Sequence, residues 1–365
     1  MVTDRDVARW RLRSQSLAAP VEGAEPAVRS LLGVQAENPS QSAWAVATRT
    51  TSPDRRDLAG ALADGRVLRT HVLRPTWHYV HADDLHWLQE LTSPRVLPVL
   101  EQQLLPSGER MSALADTVED LLHEASDRTR PELAEALAQR GRPLAGLDLT
   151  LLLAYLEVRG VITSGAPRDG VHTYARFADR VPSPRRLERD EALAELALRY
   201  LTSHGPATDR DLAYWATLTL ADVRRGIAAA GDGLESFEHD GRTFWHRAGE
   251  GPVAADAGAA AASASPAAHL LQVLDEMYRG YQDSRWVIDA DRLVPRGREG
   301  SIGMALVDGQ LLAGMRRSVG PKAVAFEIRP YRALQRSEID AIRAAAGRYG
   351  DFLGLEPAVD FDDPR

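Results

Sequence analysis

Apolar residues recur at helical spacing through most of the first hundred positions. DRDVARWRLRSQSLA and AVRSLLGVQ each predict a helix, as do SAWAVATRT after the Asn38-Pro39 break and DLAGALADGR after Pro53-Asp54. The period then changes. In VLRTHVLRPTWHYVH the residues Val67, Val72, Trp77, Tyr79 and Val80 are strand-type and surround a proline. This predicts a short two-stranded element leading into the helix ADDLHWLQELT, with Asp83 or Asp84 at its start.

Between residues 117 and 180 a second pattern appears. TVEDLLHEASDR predicts a helix. TRPELAEALAQRG predicts another, with Thr129 as N-cap, Pro131 in the first turn and Glu132 at capping-box distance. LDLTLLLAYLEVRG is a third, strongly apolar helix, and VITSGAPRDGVHTYARF reads as two strands joined by Gly, Pro and Asp-Gly turn residues. The plan repeats in DEALAELALRYLTSHG, PATDRDLAYWATL and LADVRRGIAAAG, followed by the hairpin LESFEHDGRTFWHR with its Asp240-Gly241 turn. Three helices and a hairpin is the plan of a winged helix-turn-helix, in which the third helix usually enters a DNA groove. Such units also serve as protein-interaction modules.

GEGPVAADAGAAAASASP, residues 249–266, is low-complexity and reads as a linker or surface loop. Beyond it HLLQVLDEMYRGYQD is apolar and helical or irregular. GSIGMALVDGQLLAGMRRSV is a hairpin turned by Asp308-Gly309, AVAFEIRPY a strand and SEIDAIRAAAGRYGDFLG a closing helix. The expected fold class is therefore mainly α with small β-hairpins (α+β), as tandem winged helix-turn-helix units. The units expected are 1–112, helical and carrying the candidate chemistry; 113–187 and 188–250, winged-helix; 251–266, linker; and 267–365, α+β and winged-helix-like.

Composition narrows the function classes. With 365 residues and 44% apolar content the chain can build several cores, and its net charge of -8 argues against a nucleic-acid coat protein while leaving room for one basic face. Every basic residue except Lys322 is Arg, a residue suited to bidentate phosphate and guanine contacts. The absence of Cys excludes disulfides, thiolate catalysis and Cys-ligated metals. The charged, amphipathic MVTDRDVARWRLRSQ is unlike a signal peptide, and no apolar run approaches the ~18 residues of a membrane span, so a cytoplasmic protein is expected. His71, His78 and His81 lack the helical His-x3-His spacing of a hydrolytic zinc site. GxGxxG, GxxxxGKS and Gly-x-Ser-x-Gly are all missing, which disfavours hydride transfer, ATP use and serine hydrolysis. Arg316, Arg317 and Lys322 cluster beside a predicted hairpin, as a solvated rim or a phosphate site.

Four segments then resemble one family: LLGVQAENPSQSAWAVATRT, RVLRTHVLRPTWHYVHADDLHWLQELT, SHGPATDRDLAYWATL and HLLQVLDEMYRGYQDSR. In order and spacing they resemble the winged-helix family of AlkZ/YcaQ-like DNA glycosylases, over about residues 4 to 354. The resemblance implies tandem winged-helix units in a curved body that cups DNA, excision of alkylated bases including bulky N7-alkylguanines and, in some members, crosslinked bases. The family signature is a Gln-apolar-Gln or Gln-apolar-Asp triplet. Here it is Gln35-Ala36-Glu37, with Glu at the third position. Arg69, Thr70, His71, Arg74, Thr76 and His78 resemble the family's Arg-Thr…Arg-x-Thr-x-His run, with Pro75 where Gly is commoner.

The chemistry of the triplet can be examined separately. Residues i and i+2 diverge by about 200° on a helix, so Gln35 and Glu37 can share a site only in an extended or turned segment. Pro39 disfavours α geometry at Asn38, which is a good N-cap for the following helix. The residues alone leave a bland role open: Glu37 complementing that helix start and Gln35 capping the preceding helix. Breaking an N-glycosidic bond instead builds positive charge on the sugar. A carboxylate offsets that charge and takes a proton from water, and a Gln carbonyl orients the same water. The expectation is a DNA glycosylase acting on damaged double-stranded DNA as a monomer, with no metal or organic cofactor. Gln35 and Glu37 are its catalytic pair, and Arg69, His71, Arg74, Thr76, His78, Arg316, Arg317 and Lys322 contact DNA. The rivals are a non-catalytic winged-helix regulator and a protein that sequesters a DNA-alkylating compound.

Overall fold

The computed structural model describes residues 2–104, 111–251, 266–295 and 303–363. The stretch expected to be a linker lies outside these apart from its ends. The chain opens with α1 (Asp4–Ser14), where Thr3 and Asp6 form a reciprocal capping box. Then come α2 (Ala24–Leu31), a two-residue strand β1 (Val34–Gln35), α3 (Pro39–Ala47), α4 (Arg55–Ala63), β2 (Val67–His71) and β3 (Trp77–His81). The strands form one antiparallel sheet in the order β1-β3-β2, with Gln35 opposite His78. The expected two-stranded element thus has a third strand, and that strand is the start of the triplet. β2 is buried along its whole length, because the helix Gly146–Val158 and neighbouring elements cover it.

The long helix α5 (Ala82–Leu104) leads to α6 (Met111–Glu124), β4 (Arg128–Thr129), α7 (Arg130–Gln139), α8 (Gly146–Val158), β5 (Ile162–Ser164) and β6 (Thr173–Arg176). The strand order is β4-β6-β5. α7 begins as its sequence demands: Thr129 accepts from the Glu132 amide and Glu132 accepts from the Thr129 amide. α8 departs from the groove-reading expectation. Residues 152–158 are buried on all sides, packed against α5 and β2, so this third helix is a core element.

A single turn of helix, α9 (Phe177–Arg180), precedes α10 (Arg189–Ser203), α11 (Asp209–Ala216), α12 (Leu220–Ala230) and the hairpin β7 (Leu234–His239)–β8 (Arg242–Arg247). Thr208 and Asp211 form the capping box of α11. The hairpin turns at Asp240 (φ 49°) and Gly241 (φ 69°), the left-handed pair that an Asp-Gly turn supplies. α10 and α11 share their core with the first sheet and α5: Leu68, Val80 and Leu88 pack in one cluster with Leu193, Leu196, Tyr200 and Trp215.

The remaining chain forms a five-stranded sheet in the order β13-β12-β11-β10-β9, from β9 (Ala268–Leu271), β10 (Gly303–Val307), β11 (Gln310–Val319), β12 (Ala323–Pro330) and β13 (Glu356–Phe361). β13 runs parallel to β12 after the closing helix Arg336–Leu353. HLL is therefore a strand, and only Glu276–Arg279 of the following apolar stretch is helical. This sheet reaches back to the first unit. Trp44 of α3 donates its Nε1–H to the Leu270 carbonyl at 2.8 Å and stacks on Tyr349 with ring centroids 4.2 Å apart.

Candidate active site

The triplet lies where the first sheet meets the segment after β9. Pro39 occupies the first turn of α3 and Asn38 is extended (φ -114°, ψ 98°), so the helix does not reach back into residues 34–38, and Val34 and Gln35 pair with β3 instead. Asn38 holds the N-cap position but makes no side-chain cap bond; its Oδ1 accepts from Ser40 Oγ at 2.8 Å. Three bonds staple the triplet to the sheet. Ala36 N donates to the Trp77 carbonyl (2.7 Å), Trp77 N donates to Glu37 Oε1 (3.1 Å), and Arg69 Nε donates to the Ala36 carbonyl (3.0 Å). Glu37 is exposed while Gln35 is 7% exposed.

Behind Gln35 stands a buried polar network. The Gln35 backbone amide donates to Glu276 Oε1 at 3.0 Å. Glu276 Oε2 accepts from Trp215 Nε1 (2.9 Å) and His204 Nε2 (3.4 Å). Burial alone would raise the Glu276 pKa, but the hydrogen bond from His204 and the charge of Arg74 hold it down to about 2. Arg74 Nη2 donates to Gln35 Oε1 (3.3 Å) and to His78 Nε2 (3.1 Å), and its Nη1 donates to the Arg279 carbonyl (3.4 Å). His78 Nδ1 donates to the Thr76 carbonyl at 2.9 Å. Burial, with the Arg74 charge, pushes His78 down to about 3, so its ring is neutral.

The neighbouring Asp275 does similar work one residue earlier. It binds Arg49 through both oxygens (2.9 and 2.8 Å), each side chain being fully buried, and accepts from the Met277 amide. Sequence reasoning missed Asp275 and Glu276 as site residues. Their one local signal is a pair of adjacent acids inside the apolar run VLDEMY.

The sequence-selected cations divide into two groups. Arg74 and His78 touch Gln35. Arg69 binds Ala36 and stacks on Trp77, its Cζ 3.9 Å from the ring centroid. His71 turns away to hydrogen-bond Glu157 of α8, and Thr70 is buried. Thr76 lends its carbonyl to His78, while its hydroxyl is buried. These groups are buried or half-buried and do not offer a cationic surface in this structure. His71, His78 and His81 have three different partners, His81 facing Glu25. Arg316 and Lys322, by contrast, are exposed on the β11–β12 hairpin, and Arg317 reaches Tyr349 Oη and the carbonyl of Ser40, next to the triplet. Gln35, Asn38, Gln41 and Gln272 line a narrow cleft at the same junction.

A family model described as DNA glycosylase AlkZ-like matches residues 28–352, a span that includes the triplet, its buried network and the hairpin. The chain belongs to the AlkZ-like DNA glycosylase family. It is 27% identical over 260 residues to the interstrand DNA cross-link repair glycosylase of Streptomyces sahachiroi, covering 65% of this chain and 68% of that protein. The solved structure of the Streptomyces sahachiroi DNA glycosylase AlkZ superposes with a TM-score of 0.75 over 99% of this chain and 100% of that one, at 20% identity. The AlkZ-like fold therefore extends over the whole chain. No described helix is long and apolar enough to cross a membrane.

Proposed function

We propose that this AlkZ-like chain is a monofunctional glycosylase that hydrolyses the N-glycosidic bond of N7-alkylguanine-type lesions in double-stranded DNA, acting as a monomer without metal or organic cofactor. The observation that carries the reading is the pairing of a buried, hydrogen-bonded Gln35 with an exposed Glu37 carboxylate two residues on, both stapled to β3. An N7-alkylated guanine is already cationic and leaves without a general acid. What the reaction needs is an anion near C1′ and a water whose proton has somewhere to go. Glu37 supplies both. Water bonds to C1′ as the C1′–N9 electron pair passes to the base, and the proton goes to Glu37.

The winged-helix units (residues 113–187 and 188–250) serve as scaffold, with Arg316, Arg317 and Lys322 of the β11–β12 hairpin gripping phosphates beside the lesion. The element order of α10 to β8 and the position of Arg317 beside Ser40 support this. The name of the Streptomyces relative favours bulky or crosslinked lesions over small ones. A non-catalytic regulator gains nothing from so tightly held a triplet.

The test is single-turnover incubation with an N7-methylguanine duplex, scored as alkali-labile abasic sites. Glu37→Gln keeps an acceptor for the Trp77 amide but loses charge and basicity. It should slow excision toward the lower end of the ~10²–10⁴-fold range of general-base assistance, with affinity unchanged. A wild-type protein that makes no abasic sites would sink the reading. Equal rates for wild type, Glu37→Gln and Glu37→Ala would reduce Glu37 to a helix-start residue.

A further inference from the structure

The atom by which Gln35 faces a substrate follows from its neighbours. A guanidinium carries only donors. Arg74 Nη2 is 3.3 Å from the Gln35 carboxamide, so the atom facing it is the carbonyl oxygen. The same nitrogen meets His78 Nε2, and a neutral imidazole that donates from Nδ1 to Thr76 accepts at Nε2. Polarity therefore runs without conflict from the Thr76 carbonyl through His78 and Arg74 to Gln35. Glu276 completes the arrangement, since it accepts from the Gln35 backbone amide and offsets the buried Arg74 charge. The other end of the carboxamide, Nε2, meets no protein acceptor among the described residues, and it belongs to a side chain lining the cleft with Asn38, Gln41 and Gln272.

The geometry points to Arg74 as a positioning residue that fixes Gln35 as a hydrogen-bond donor toward the departing base, in place of the water-orienting acceptor that the sequence suggests. This rests on the glycosylase reading above. When the C1′–N9 bond breaks, its electron pair moves onto the base. Electron density rises at base acceptors such as N3, and a preorganised N–H aimed there stabilises the transition state. Glu37 then handles the water alone. With its carbonyl oxygen turned to the buried Arg74, Gln35 presents its NH₂ end to the cleft and is not placed to accept from that water.

Gln35→Glu separates the two roles. The carboxylate keeps the bond to Arg74 and every acceptor, and loses the donor. Single-turnover excision of N7-methylguanine should fall about 10²-fold or more, as when one transition-state donor is removed, with duplex affinity and far-UV circular dichroism unchanged. Excision by Gln35→Glu within a few-fold of wild type, or faster, overturns the proposal. A second measurement needs no turnover. In the free ¹⁵N-labelled protein, the Gln35 carboxamide protons, assigned by their loss in Gln35→Ala, should exchange rapidly with water. In Arg74→Gln, where either end of the carboxamide can be accommodated, that exchange should slow. Carboxamide protons protected in wild type mean that the NH₂ faces inward, which refutes the orientation even if Gln35→Glu fails to fold. If wild type excises nothing, the glycosylase reading fails, and the exchange measurement still decides the orientation.

Discussion

Lowering the pH from 7 to 5 should destabilise this protein, and the buried histidines say by how much. His78 and His172 are pushed down to about 3 and His269 to about 4, in each case first by burial and then by nearby arginine charge. In the unfolded chain each titrates near 6.5. Folded values below unfolded values mean that, as pH falls past 6.5, the unfolded chain takes up at least three protons that the folded chain refuses, burial pushing His204 down as well. The stability these neutral rings contribute is complete above pH 6.5 and is lost on the way down toward pH 3 to 4. The slope for three protons is ~4 kcal/mol per pH unit, so by pH 5 the loss is ~6 kcal/mol. A whole domain has only about 5–15 kcal/mol to lose. Glu276, held near 2, pulls in the same direction but only below its ordinary value of 4.5. Urea unfolding followed by circular dichroism at pH 7, 6 and 5 measures the slope. His269→Gln should flatten it by about one proton's worth. Urea midpoints that agree at pH 7 and 5 would refute the reasoning. Because His78 refuses its proton until the fold is lost, the fall of excision in this range should follow the unfolded fraction and show no separate local titration.

Other perturbations follow from the same contacts. Asp275→Asn leaves Arg49 charged and buried without a counter-ion, and should cost about 3–5 kcal/mol in urea unfolding. Trp44→Ala empties a stacked position between α3 and the C-terminal sheet, and a loss of about 3–5 kcal/mol is expected, while Trp44→Phe should recover much of it. Arg316→Ala and Lys322→Ala should each weaken duplex binding about equally across sequences and lower the slope of log K against log salt by roughly one, measured by fluorescence anisotropy. Salt slopes unchanged in both would remove the hairpin from the DNA interface.

What was legible in the sequence was local. The Thr129–Glu132 capping box, the Asp240-Gly241 and Asp308-Gly309 turns, and the break at Pro39 act within a few residues, and each is found where its chemistry puts it. β1, β9 and β13 were missed or misread for the opposite reason. A two-residue strand at Val34–Gln35 has no period of its own, and it exists because β3 offers an edge some forty residues later. β13 is mostly exposed and joins β12 in parallel only after an entire helix has crossed over. The cations of β2 and β3 illustrate a further limit. Arg69, His71, Arg74 and His78 alternate with apolar residues as on a half-exposed strand, and nothing within the segment announces that α8 will cover the polar side. Glu157, the partner of His71, lies 86 residues away, and Glu276 lies 241 residues from Gln35.

That distance bears on how the site works. Gln35 is uncharged, and left alone its carboxamide would choose either orientation. Giving it one direction takes a donor-only partner, Arg74. Burying Arg74 in turn takes an anion, because a lone guanidinium in that setting is too costly. Glu276 is that anion, and its own burial is tolerated because Gln35 N, Trp215 Nε1 and His204 Nε2 all donate to it. Each requirement calls in a residue from a more distant part of the chain: β1 and the turn before β3, then α10 and α11, then the segment after β9. Glu37 has no such retinue. Among the described residues its one bond is to the Trp77 amide, which fixes one oxygen of an otherwise exposed side chain, as a group that must meet a water requires. The two polar residues of the triplet are thus held by opposite means, and substitutions should separate them. Changes to the Glu276 network should alter excision by way of Gln35 and cost stability as well, whereas changes at Glu37 should alter excision alone.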